Sequence, residues 1–151
     1  MTAYTGGEIL LRQLVLPGHL DCCTAPIVKW VKENIPPDET VVINPFAWGY
    51  GLYAGSDGGF WIAPLSGRVT LPPSVLYGLG GDNKNISDLS QKVINLSSDP
   101  TAFQELLRSN QLRYIYLGAK GGVVSPEKLV GSGLFNILYH KAGVWIFSLK
   151  P

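Results

Sequence analysis

The chain has 151 residues, 12 Lys and Arg against 11 Asp and Glu, and a formal net charge of +1, which fits one domain and shows no basic footprint for nucleic acid. Charged residues make up only 15% of it, against about 25% in an average soluble domain. No apolar run reaches the ~18 residues a membrane helix needs, so the expectation is an unusually uncharged soluble domain whose surface meets a neighbour.

Residues 1–20 read as a linker or N-terminal arm, and residues 21–151 as a single α/β domain. Thr2 to Gly7 lacks the basic segment that opens a secretory signal. Glu8 to Leu16 is mostly apolar, and Pro17-Gly18 breaks it. Cys22 and Cys23 are adjacent, and neighbouring cysteines rarely bridge, so they imply no disulfide framework. Residues 24–34 read as a helix capped by Thr24 or Asp21, with Pro26 in its first turn and an apolar face of Ile27, Val28, Trp30 and Val31. Pro36-Pro37-Asp38 ends it, and the β-branched run Thr40 to Asn44 reads as a buried strand.

Residues 45–82 are dense in Gly, Pro and aromatics and are expected to be irregular. From Val41 to Gly81 only Asp57 and Arg68 carry charge. A short helix from Ser56 or Asp57 would carry Phe60, Trp61 and Leu65, and a strand would cover Arg68 to Leu71 before Pro72-Pro73. Beyond it, Asn85 to Leu96 has helical spacing, and Asp99-Pro100 starts another helix through Phe103, Leu106 and Leu107. Leu112 to Leu117 reads as a strand, and Ser125-Pro126-Glu127 opens a capped helix. Phe135 to His140 and Val144 to Leu149 form a hairpin over Lys141-Ala142-Gly143. This order predicts a two- or three-layer, Rossmann-like domain with a mixed, mostly parallel sheet and a C-terminal antiparallel hairpin.

The candidate chemistry is sparse. Gly49-x-Gly51-x-x-x-Gly55 follows a strand, but a dinucleotide fingerprint needs closer glycines directly after the strand and an acid ~20 residues on. His19, Cys22 and Cys23 lack a fourth ligand and are read as ordinary buried thiols beside a histidine, with no metal expected. His140 reads as an exposed strand residue. No G-x-S-x-G elbow is present, so no catalytic residue and no cofactor are assigned. Asn85-Ile86-Ser87 and Asn95-Leu96-Ser97 match glycosylation sequons but fall in a helix and are read as chance. Asp57 and Arg68 stand alone in apolar surroundings, where charges persist only when paired or hydrogen-bonded. They are expected either to form an ion pair that pins the loop or to read a polar ligand. In the second case Trp48, Tyr50, Tyr53 and Trp61 would be stacking walls.

Several strings resemble a known class. Trp30-Val31-Lys32-Glu33-Asn34-Ile35-Pro36-Pro37-Asp38 resembles the start of the extramembrane C-terminal domain of bacterial multi-spanning proteins similar to C-type glycosyltransferases. That class includes oligosaccharyltransferases and protein mannosyltransferases. Gly55-Ser56-Asp57-Gly58-Gly59-Phe60-Trp61 and Leu65-Ser66-Gly67-Arg68-Val69-Thr70 with Pro72-Pro73 resemble its middle block. Tyr114 to Gly118 and Gly143 to Phe147 resemble its closing strands. The resemblance implies an extracytoplasmic domain fused to a membrane-embedded part that would hold the catalytic carboxylates. It also implies that this domain helps shape a donor or acceptor site. Oligosaccharyltransferases carry a W-W-D-Y-G acceptor motif; the nearest string here, Ala47-Trp48-Gly49-Tyr50-Gly51, lacks the acid.

The expected function is therefore a non-catalytic accessory domain of a membrane glycosyltransferase-like protein. Its loop 45–73 would contact a glycan, a lipid-linked sugar or an acceptor. The alternatives are a structural or protein-interaction module without a ligand, and a Rossmann-like small-molecule or nucleotide-binding domain.

Overall fold

The computed structural model describes residues 24–81 and 83–151. The N-terminal arm, the candidates His19, Cys22 and Cys23, and the caps Asp21 and Thr24 lie outside the described residues or side chains. The first helix is α1 (Thr24–Asn34), followed by strands β1 (Thr40–Ile43), β2 (Pro45–Gly49) and β3 (Leu52–Gly55). A 3-10 turn (Gly59–Trp61) leads into α2 (Ile62–Ser66), β4 (Val69–Leu71) and a second 3-10 turn (Val75–Leu79). The rest runs α3 (Asn83–Leu96), α4 (Pro100–Ser109), β5 (Tyr114–Leu117), α5 (Pro126–Ser132), β6 (Phe135–Lys141) and β7 (Val144–Leu149).

Local signals account for the helices. The Asp99 carboxylate accepts from the Thr101 and Ala102 amides and Pro100 fills the first position of α4, so the orphan donors of that turn are satisfied. Ser125 caps α5 by accepting from the Lys128 amide. The final hairpin turns on Ala142 and Gly143, both at positive φ, which suits the right-handed twist of its strands.

The main sheet has five strands in the order β4-β1-β5-β7-β6. β4, β1 and β5 are parallel, whereas β7 runs antiparallel to both β5 and β6. The sheet is mixed and ends in the expected hairpin: two of its four pairings are parallel, and four of its five strands run the same way. The two-residue loop forces β6 and β7 into antiparallel pairing, and β7 then sits against β5 and carries that direction into the sheet.

Alternate residues of the same strands enter different cores, as a period of two requires. Val42, Ile115, Leu117 and Phe147 pack with Val93 of α3, Phe103 and Leu107 of α4 and Leu129 of α5. Val41, Ile43, Tyr116 and Ile146 pack with Ile27 and Val31 of α1 and Ile62 of α2. Helices thus cover both faces. The remaining sheet, β2 with β3, is a separate two-stranded hairpin standing at the carboxyl end of β1.

Candidate functional site

The segment expected to be irregular contains that ordered hairpin. Pro45 pairs with Gly55, Phe46 with Ala54, Ala47 with Tyr53 and Gly49 with Leu52. β2 advances two residues where β3 advances one, so Trp48 is a bulged residue. Bulges re-aim side chains, and Trp48 is 59% exposed. Tyr50 and Gly51 form the two-residue loop with φ of 52° and 72°. Positive φ at both loop positions is what a type I′ hairpin requires, but asparagine or glycine adopts it more cheaply than tyrosine. Tyr50 is fully exposed at this tip, and Phe46 meets Trp48 edge-on at 5.9 Å. The tip therefore presents aromatic surface in a stretch with no charged side chain from Val41 to Ser56.

Tyr53 is half-buried and tied to α3. Its hydroxyl bonds the Gln91 side chain on α3, and its amide donates to the Tyr77 hydroxyl at 2.7 Å. The Tyr77 hydroxyl is also 3.2 Å from the Ser87 hydroxyl of α3. This polar network fixes the hairpin to α3, with Tyr53 as one of its anchors. Trp61 is half-buried in the 3-10 turn and packs edge-on against Phe60 at 5.3 Å. Two glycines let that turn close on the sheet. A Cβ at Gly59 would stand 2.7 Å from the Ile43 Cβ, and one at Gly55 would stand 2.3 Å from the Ile43 Cδ1.

Asp57 and Arg68 do not form an ion pair; they lie near opposite ends of β1. Arg68 precedes Val69, which lies opposite Thr40 at the start of β1. Asp57 reaches Asn44, just past the end of β1. Four strand residues, roughly 13 Å, separate those two ends. Each charge is satisfied by backbone. Arg68 donates to the carbonyls of Ile35 and Lys32 at 2.7 Å each and of Ser66 at 3.4 Å. It thereby covers the orphan carbonyls at the end of α1, where a cation also complements the helix dipole.

The Asp57 carboxylate accepts from the Lys120 amide at 2.7 Å and from the Asn44 side chain at 3.5 Å. Burial pushes its carboxyl above the ordinary value of 3.8, opposed by hydrogen bonds from the Lys120, Gly118 and Gly121 backbone and from Asn44. Asn44 is fully buried, and its side-chain oxygen accepts from the Val124 amide at 2.9 Å. The sequence reading passed over Asn44 and the loop 118–124. The cluster Gly118-Ala119-Lys120-Gly121-Gly122 directly after a strand was the available signal.

The glycines 49, 51 and 55 lie in the β2–β3 hairpin and not at a strand-to-helix turn, so they do not form a dinucleotide loop. His140 is exposed and stacks on Trp145 at 3.3 Å. Among the described residues no three His, Cys, Asp or Glu side chains gather as a metal site, and no helix is long and apolar enough to cross a membrane. A cleft of about 700 Å³ at the amino ends of β1 and β5 is lined by Asp38, Glu39, Arg108, Arg113 and Lys150, and by none of the six predicted site residues.

No family model matches the chain. Over 37 residues, 24% of its length, it is 40% identical to an uncharacterized protein of Methanocaldococcus jannaschii. The chain spans 10% of the length of that curated relative. Among solved structures it is similar to the C-terminal globular domain of an oligosaccharyltransferase from Archaeoglobus fulgidus, at 16% identity and a TM-score of 0.49 over 83% of this chain and 95% of that one.

Proposed function

We propose that the chain is a non-catalytic extramembrane domain of a membrane glycosyltransferase-like protein, and that the β2–β3 hairpin is its contact surface for a glycan, a lipid-linked sugar or an acceptor. The observation that carries this is the tip itself. Trp48 is bulged outward and Tyr50 is held at an unfavourable φ in full exposure. Backbone strain of the kind Tyr50 carries clusters at binding sites, and nothing in the domain's own packing asks for the exposed ring of Trp48 beside it. Both residues also fall on the string that resembles an oligosaccharyltransferase acceptor motif. On this reading Asp57 and Arg68 build the scaffold and do not touch the ligand, and Tyr53 sets the angle of the hairpin. Helices on both faces of a partly parallel sheet support a three-layer, Rossmann-like description. The domain would sit on the extracytoplasmic side of its membrane, against the membrane-embedded part.

A second reading, an interaction module without a ligand, draws support from Leu76 and Leu79. They are 68% and 88% exposed on the 3-10 turn that packs against β3. Aliphatic side chains do not stack on sugars but do pack on protein.

Titration of the purified chain with oligosaccharides, polyprenyl-phosphate sugars and acceptor peptides, read by tryptophan fluorescence, separates the two. The first reading expects a saturable change that Trp48→Ala abolishes while leaving the thermal midpoint in place. An affinity unchanged in Trp48→Ala and Tyr50→Ala would remove the hairpin from the site.

A further inference from the structure

The hairpin tip has an apolar neighbour. The second 3-10 turn (Val75–Leu79) has three residues per turn, so Leu76 and Leu79 fall on one side of it, and both are exposed. Its other side is fastened to β3. The Tyr77 hydroxyl accepts from the Tyr53 amide at 2.7 Å, and a Cβ on Gly78 would lie 2.5 Å from the Leu52 Cδ1. Leu52 directly follows the hairpin loop Tyr50-Gly51. Two protruding turns, one tipped by Trp48 and Tyr50 and the other by Leu76 and Leu79, are thus locked side by side. No charged residue occurs from Val41 to Ser56 or from Val69 to Gly81. The two charges between those stretches act elsewhere, Asp57 on the Lys120 amide and Arg68 on the end of α1.

We infer that the two turns together form a membrane-inserting tip whose partner is the interface of a phospholipid bilayer. Trp48 and Tyr50 each join an apolar ring to a polar N–H or O–H, the combination that settles at headgroup level, and the two leucines suit the acyl boundary beneath it. The absence of charge matches that medium: an ionised group carried into it would cost free energy, and none has to be carried. A protein interface is fixed in register by about one hydrogen bond per 100–200 Å². This tip is poorly supplied for that, because the Tyr53 and Tyr77 hydroxyls are already bonded to Gln91 and Ser87. A fluid bilayer asks for no register. The inference rests on the proposed placement of the domain beside a membrane but not on the sugar contact. A tip at headgroup depth also lies where a lipid-linked sugar presents its glycan, so the two roles of the hairpin are compatible.

The test mixes the purified chain with vesicles of dioleoylphosphatidylcholine, free of any glycan, and reads the bound fraction by co-sedimentation. Half-binding is expected on the order of 1 mM lipid, about ten-fold weaker than a single myristoyl anchor. Because no charge is involved, it is expected not to weaken between about 0.1 M and 1 M salt. Leu76→Ser and Leu79→Ser are each expected to weaken it about ten-fold, the least that withdrawing a leucine from an apolar phase costs. In vesicles of the dibrominated lipid, tryptophan emission is expected to be quenched, and Trp48→Phe to remove most of that quenching, since Trp30, Trp61 and Trp145 are half-buried. These positions are exposed, so the variants are expected to keep the near-UV circular dichroism of the wild type. No binding at about 10 mM lipid, or binding that needs anionic lipid and is abolished by salt, overturns the inference. Binding and quenching unchanged in the variants also overturn it and leave the tip to a protein partner. A chain that binds glycans but no vesicles loses this inference and keeps the sugar contact, and the reverse result does the opposite.

Discussion

Replacing Arg68 by alanine probes the least expected contact in the molecule. The guanidinium donates two bonds of 2.7 Å to the Ile35 and Lys32 carbonyls, and its third, to Ser66, is longer at 3.4 Å. A bond to a charged donor is worth about 1.5–3 kcal/mol when shielded. Arg68 is only half-buried, so water screens each bond toward the lower end or below. The carbonyls left behind can partly rehydrate. Favourable placement at the end of a helix dipole contributes about 0.3–1 kcal/mol. Arg68→Ala is therefore expected to lose about 2 kcal/mol in urea unfolding, or about 4–8 °C in thermal midpoint for a domain of this size. Arg68→Lys keeps the dipole contribution but not the fork, and is expected to recover less than half. The decisive experiment is the double-mutant cycle with Asp57→Asn. Sites farther apart than about 10 Å are additive to about 0.5 kcal/mol. A coupling of more than about 1 kcal/mol would restore the ion pair and refute the separation of the two charges along β1.

The pH dependence of Asp57 has a definite sign. Its folded carboxyl is raised above 3.8 by burial, so the folded state holds that proton more tightly than the unfolded chain. Its stabilising contribution is full below 3.8 and is lost as pH rises through the raised value. The stability of wild type minus that of Asp57→Asn is expected to grow on acidification through this window, and a difference that shrinks there would reverse the assignment. Tyr50→Asn relieves the positive φ at the hairpin tip and is expected to stabilise by about 1 kcal/mol in thermal or urea unfolding, with no change in near-UV circular dichroism from the core. Gly118→Ala would bring a methyl 1.9 Å from the Asp57 carbonyl oxygen, so the loop must move. It is expected to lose more than about 2 kcal/mol in urea unfolding and to lower amide protection at Lys120, whereas Gly131→Ala, which meets open space, is expected to be neutral or stabilising.

The hairpin β2–β3 escaped the sequence reading for a physical reason. Its strands are short, carry glycine and proline, and show exposed aromatics where alternation would place polar residues, because its outer face packs on nothing in this domain. The bulge at Trp48 breaks the period further. The ion-pair expectation for Asp57 and Arg68 failed differently. It was sound that lone charges in an apolar stretch need partners, but the partners are backbone carbonyls and amides, which every residue carries and no residue type announces.

What the sequence alone determined is local. The caps Asp99 and Ser125, the periodic faces of α1, α3 and α4, the β-branched run of β1 and the final hairpin all follow from contacts between near neighbours in the chain. The chargeless aromatic stretch could likewise be recognised as a surface to explain. Only the tertiary structure decided that Trp48 and Tyr50 stand out while Tyr53 bonds to α3, that β7 brings an antiparallel direction into the sheet, and that Arg68 serves a helix while Asp57 serves a loop. Those outcomes depend on which chain ends meet across the sheet, a matter of long-range packing that residue order near each site does not encode.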